Sequence, residues 1–412
     1  MTDDLPDASV RPPAQRRAAP ENPLLLEGAT AWRSLDARRE RIQRVLAPAP
    51  EIDWARLLRL AASNRVSALL YWNLNAIAPS QVPAPILEQL RQQNRSNALW
   101  SLRLKAELLR ILRVFADREI PVLPLKGPVL AALYYPDPTL RECADLDILV
   151  RREHLRAAED ALSSIGYTPL DHDRDRQLKL NYHLRFEHAV NPVHVELHWQ
   201  IRRTQHSSFV DGDFLWEDAE TTLWENTRIL IPRTENNLIF LCIHAFRHQW
   251  KRLQWIHDIP QLIAARPEID WRWTVAQARR LHSYRILIAS LHLADDLYGL
   301  TLPDELRALL STTRLSEREM RQIADNLFLE TQRGVLLQQI FFFDNLADVW
   351  RYLWVFSRSI RLTPNERDTR WLALPRQLHF LYYLIRPIRL VKEHAPTILI
   401  KIPRWLGSLR RN

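Results

Sequence analysis

Asp145 and Asp147 interrupt an otherwise apolar run, ADLDILV at 144–150. Alternate residues of an extended strand share a face, so these two carboxylates point the same way while Leu146 and Ile148 turn to the opposite, core-facing side. The run VHVELHW at 193–199 reads likewise, with Val193, Val195 and Leu197 on the buried face and His194, Glu196 and His198 on the other. If the two strands are neighbours, Glu196 joins the aspartates. Three close carboxylates repel one another and lose hydration, a cost that a bound divalent cation offsets. Oxygen ligands with no cysteine among them favour Mg2+ or Mn2+ over zinc, and Mg2+ suits phosphate.

Upstream stands an informative glycine. Seven glycines in 412 residues is far below the ~7% of ordinary soluble proteins, so each that remains answers a backbone need. In PLKGPVLAALYY a strand ends, Gly127 makes the turn, and Pro128 suits the first position of a short helix. A glycine at a helix start lets phosphate approach bare amides at the positive end of the dipole. Lys126 adds a mobile positive charge.

The elements that must position these groups are short. β-like runs occur at 120–125, 144–150, 184–190 and 193–199, with the helical stretch EHLRAAEDALSSIGY between the second and third and Gly166 as its stop. Asn191 and Pro192 mark a hairpin or bend between the last two. Before and after, apolar residues recur at helical spacing, most clearly over 83–119, and prolines at 260, 267, 303, 364, 375 and 387 punctuate separate helices. The expected fold class is α+β, predominantly helical, with a small mixed sheet between helical regions. The expected divisions are a disordered tail at 1–23, helices at 24–119, the α/β core at 120–232, helices at 233–369 and a basic amphipathic extension at 370–412.

A 47% hydrophobic fraction and 15 tryptophans are enough for a large core. Cys143 and Cys242 cannot build a disulfide framework or a zinc ribbon; with no cleavable apolar leader, the expected location is cytoplasmic. No run reaches the ~18 apolar residues of a membrane span. Residues 370–412 hold nine Lys or Arg against one acid, Glu393. They read as a solvated basic helical face, a peripheral contact with the inner membrane, or a nucleic-acid surface.

The ordered set LKG at 125–127, LYYPDPTLRECADLDILV at 133–150, VELHW at 195–199 and HAFRHQWKRLQWIHD at 244–258 resembles the bacterial uncharacterised nucleotidyltransferase family, a branch of the polymerase-β-like superfamily. The resemblance implies a small mixed sheet on which Asp145 and Asp147 bind the metal ions that hold a nucleoside triphosphate. Glu196 would complete the site and help activate the acceptor hydroxyl, and the Gly127 turn would hold the β- and γ-phosphates. It implies transfer of a nucleoside monophosphate to an acceptor with release of pyrophosphate, and leaves the acceptor open. One departure is Pro128, which supplies no N–H where the superfamily usually has a second small residue. Lys126 and Arg141 are the candidates to compensate, Arg141 being equally readable as an ion pair with Glu142 or Asp145. The rival expectation is a catalytically weak or inactive nucleotide-binding scaffold at the membrane.

His194 and His198 either orient Glu196 and touch substrate or are hydrogen-bonded core histidines. His244 and His248 have the i, i+4 spacing of a two-histidine metal site, but no Glu follows the first, which excludes a zinc-protease motif. With Arg247 they either cover the cleft near phosphate or cap a core of Trp250, Leu253, Trp255 and Ile256. Cys143 reads as a small buried hydrophobe.

Overall fold

Short β-rich runs flanked by long amphipathic helices cannot bury their apolar faces alone, and here they do so against one another. The computed structural model describes residues 19–48, 51–170, 174–201, 212–313, 315 and 317–329, with isolated positions between 342 and 385. A five-stranded sheet comprises β1 (Val122–Pro124), β2 (Leu146–Val150), β3 (Tyr167–Pro169), β4 (His183–His188) and β5 (His194–His198), ordered β1-β2-β5-β4-β3. β2 and β5 run parallel and the other pairs are antiparallel. Leu146, Ile148, Val150, Val195, Leu197, Leu184 and Phe186 from one face join a core with Leu104, Leu108, Ile111 and Phe115 of the helix Ala84–Asp117 and Leu155, Ala158 and Leu162 of the helix Leu155–Ser164. This is the α+β class expected.

Gly166 follows the end of that second helix with φ +90°, a conformation that suits glycine. A separate hairpin, β6 (Glu220–Trp224) with β7 (Thr227–Ile231), was not legible. Its two-residue turn, Glu225 and Asn226, has both residues at positive φ but carries no glycine. Two further expectations are corrected. The last residues of the stretch read as a disordered tail are ordered: a helix spans Glu21–Gly28, with Glu21 buried, its Oε1 accepting from the Asp53 amide and its Oε2 paired with Arg56, while residues 1–18 lie outside the described residues. Pro260, read as a break between helices, lies inside the helix Leu253–Ala265, where it is buried.

The N-terminal and C-terminal helices meet directly. Asn64 Oδ1 accepts from the Leu253 amide at 2.9 Å, and Trp32 packs edge-on to Tyr298. The described residues up to Asp344 form one unit. Among the described residues no helix is long and apolar enough to cross a membrane. The basic extension at 370–412 lies, but for a few positions, outside the described residues.

Candidate active site

The site follows from the sheet register. β2 and β5 set Asp147 directly opposite Glu196, so both carboxylates leave the sheet on the face opposite the apolar core. Asp145 precedes β2 by one residue. β1 is antiparallel to β2, and the Leu125 amide continues the ladder by donating to the Asp147 carbonyl at 3.0 Å. The next residue, Lys126, therefore arrives beside the acids, its Nζ 2.6 Å from Asp147 Oδ2 and 3.8 Å from Asp145 Oδ1. Gly127 then turns the chain at φ +73° into the helix Pro128–Tyr134. A Cβ there would meet only the Asp145 carbonyl at an ordinary 3.6 Å, so the dihedral and not crowding calls for glycine.

His198 ties the acids together, its Nε2 lying 3.1 Å from Asp147 Oδ1 and 3.3 Å from Glu196 Oε2. Burial alone would raise the Asp147 carboxyl; Lys126 and the His198 hydrogen bond outweigh it and hold this acid well below the usual carboxylate range. For Glu196 burial again pushes upward, and His198 reverses the sign. Asp145 goes the other way, raised by burial and by its two acidic neighbours against the pull of Lys126. The Lys126 ammonium resists its own burial because Asp147 and Asp145 favour the charged form. The donors thus fit a divalent cation: three carboxylates of unequal basicity already gathered around a positive charge.

Of the other candidates, His194 is exposed at the far end of β5, opposite Glu187. It stays on the acids' face but is not part of their buried cluster. Arg141 finds an ion-pair partner other than the two considered. Its guanidinium is buried and forms a two-pronged pair with Asp258, Nε to Oδ1 and Nη2 to Oδ2 both at 2.8 Å. Asp258 outweighs burial and raises its pKa well above the usual arginine value. Its remaining prong reaches Cys143 Sγ at 3.3 Å. Glu142, the other partner considered, accepts instead from the Ala68 amide.

The helix Thr234–Arg247 supplies a wall. His244 is buried, with its ring centroid 4.7 Å from that of His248 and 5.6 Å from that of Trp255. Burial and then Lys126 hold His244 well below the usual histidine range, and burial and then Arg247 take His248 down to about 3. Both are neutral aromatic groups at pH 7. Arg247 lies over the Tyr182 ring at 4.6 Å and donates to Tyr182 Oη at 2.7 Å and to the Ile201 carbonyl at 2.5 Å. Tyr182 in turn stacks near His183 and His198. Arg247 therefore braces the site from behind.

Sequence reasoning ranks His183 below His194 and His198, yet its Nε2 lies 3.9 Å from Glu196 Oε1. The signal was the β4–β5 hairpin, which sets His183 opposite His198. Sequence reasoning passed over Asp258, which no local pattern links to Arg141.

The fold thus brings together an acid pair at the start of one strand, a third carboxylate in register on its parallel neighbour and a lysine beside the pair, on a small mixed sheet between helices. The chain belongs to the uncharacterised nucleotidyltransferase family, whose model matches residues 50–299. The match takes in the helices from Trp54–Asn64 to Tyr284–Tyr298 as well as the sheet. No curated protein matches the chain.

Proposed function

We propose that this protein transfers a nucleoside monophosphate from a nucleoside triphosphate to an acceptor, with release of pyrophosphate, and that it uses Mg2+ or Mn2+. The observation that carries the reading is the register of Asp147 with Glu196 on the face that also bears Asp145 and Lys126. Asp145, Asp147 and Glu196 would hold the ions, which when bound supply charge neutralisation for the phosphates and the leaving group. Lys126, paired here with Asp147 and Asp145, would turn to the β- and γ-phosphates when the acids hold ions. Glu196 is the most accessible of the acids apart from Asp145, with its side chain 26% exposed. It accepts the acceptor's proton. His198 holds Asp147 and Glu196 at a fixed separation, and neutral His244 and His248 wall the site without adding charge that would compete with the cations.

Incubating the purified protein with Mg2+ or Mn2+ and each α-labelled nucleoside triphosphate, with and without cell extract, tests the reading. Labelled product is expected, and its loss in Asp145→Asn and Asp147→Asn. Label transfer that persists in both variants would refute it. The rival, a nucleotide-binding scaffold without turnover, draws on Pro128 at the helix start and on Arg141 locked to Asp258, which together withdraw two phosphate donors. Tight triphosphate binding with no product across all extracts would favour it. Peripheral membrane attachment through 370–412 is part of that rival, and vesicle sedimentation with and without the segment tests it.

A further inference from the structure

The hairpin that completes the sheet also brings together two imidazoles and a carboxylate. β4 and β5 set His183 opposite His198 and Arg185 opposite Glu196, so the two histidines share the acids' face with their ring centroids 5.0 Å apart. One ligand atom from each of His183, Glu196 and His198 lies within 4.8 Å of the others. His198 Nε2 is 3.3 Å from Glu196 Oε2, and His183 Nε2 is 3.9 Å from Glu196 Oε1. Ligands ~2.1 Å from a shared ion stand about 3 to 4 Å apart, so the trio, whose two short distances go to different oxygens of Glu196 and whose ligand atoms lie within 4.8 Å of one another, closes on one ion by side-chain adjustment alone. His198 is buried, and the Nδ1 atoms of both rings are buried with no hydrogen-bond partner among the described residues. It is the Nε2 atom of each ring that is turned toward Glu196.

We propose that His183, Glu196 and His198 form a nitrogen-containing metal site that takes a borderline divalent ion, of the Mn2+, Co2+ or Zn2+ kind, beside the oxygen ligands of Asp145 and Asp147. Imidazole nitrogen suits such ions better than Mg2+, which prefers carboxylate and water. The ion takes the place of the Nε2 proton of His198: from the imidazolium that proton leaves to solvent and Nδ1 keeps its own, and from the neutral Nε2–H tautomer the proton moves to Nδ1, so the ligand is neutral imidazole either way, and Asp147 Oδ1, 3.1 Å from Nε2, is the next available ligand. The proposal deepens the transfer reading through the shared Glu196 and gives the site two chemically unlike halves, one for a hard ion with phosphate and one that selects the metal.

Full-length protein stripped with chelator and loaded with Mn2+ would be examined by pulsed electron paramagnetic resonance. The expected result is modulation from directly coordinated imidazole nitrogen that survives a roughly hundredfold excess of Mg2+. His183→Ala is expected to weaken Mn2+ binding at least about tenfold and reduce the modulation. Mn2+ bound through oxygen alone, or no bound Mn2+, overturns the proposal, and the wild-type spectrum decides even if the variant fails to fold. A parallel transfer assay in Mg2+ separates the two readings. Product without a nitrogen signal sinks this site and keeps the activity, whereas a nitrogen signal without product does the reverse.

Discussion

Replacing Arg141 separates a phosphate ligand from a structural clamp. The guanidinium and the Asp258 carboxylate are 4% and 1% exposed, and two parallel 2.8 Å bonds join them. Removing one partner of such a pair leaves a buried charge without compensation, which costs about 3–5 kcal/mol. Arg141→Met is therefore expected to lower the midpoint of thermal unfolding by roughly 6–20 °C, at ~2–4 °C per kcal/mol for a domain of moderate size. The informative variant is the double one. Arg141→Met with Asp258→Leu removes both charges, and apolar replacement of a whole buried pair is often near neutral. Recovery should be incomplete, because Tyr135 Oη also donates to Asp258 Oδ1, at 2.7 Å, and keeps only His257 Nδ1 at 2.9 Å as a neighbour. A residual loss of about 1 kcal/mol is expected for that hydrogen bond. The assay is urea or thermal unfolding of all four proteins, with triphosphate binding measured on those that remain folded. If Arg141→Met melts like the parent and instead loses triphosphate affinity, the clamp argument is wrong and the arginine acts on phosphate.

Three further outcomes follow from the same geometry. Lys126→Met removes the ammonium that neutralises Asp147 and Asp145; at 4 Å and an effective dielectric near 20 such a pair is worth about 4 kcal/mol. Calorimetry should then find divalent-ion affinity of the nucleotide-free protein raised by roughly tenfold or more and triphosphate affinity lowered, and a fall in both would contradict the competition between lysine and metal. Gly127→Ala forces an L side chain into φ +73°, ψ −137°, outside the left-handed helical region, at a cost of about 1–3 kcal/mol, visible as a lower unfolding midpoint with no steric penalty from Asp145; an unchanged midpoint would contradict the turn as described. His257 is buried between Trp32, Tyr135 and Tyr298, with Asp258 and Arg141 nearby, and burial takes it from 6.5 to about 4. The unfolded state therefore binds the extra proton first, so its contribution is full above pH 6.5, falls as pH drops toward 4, and amounts to about 2 kcal/mol between pH 7 and pH 5. Unfolding measured at both pH values should lose that much less in His257→Gln than in the parent, and equal losses would exclude His257 as a source.

What the sequence yields and what it hides divide along the range of the interactions. Asp145, Asp147 and Glu196 are legible because strand alternation is a local rule, and only the adjacency of β2 and β5 had to be supplied. The β6–β7 hairpin escaped because its turn uses Glu225 and Asn226 at positive φ where a glycine would have announced it. The partner of Arg141 escaped for a different reason: a buried arginine needs a specific acid, and Asp258 lies on a helix that no periodicity connects to residue 141. His183 stands between these cases. Reflecting the chain about Val190 and Asn191 pairs Glu187 with His194 and His183 with His198, as observed. A turn centred on Asn191 and Pro192 would instead set His183 opposite Gln200, so the turn signal locates the hairpin to within a residue and the apolar alternation fixes which residues share a face. A tight hairpin between two half-polar strands fixes which polar side chains face each other, because shifting it by one residue would turn Leu184 and Phe186 out of the core. The burial of those two residues therefore holds the imidazole pair in register, and a polar substitution at Phe186 should disturb the histidine–glutamate trio before it reaches Asp145.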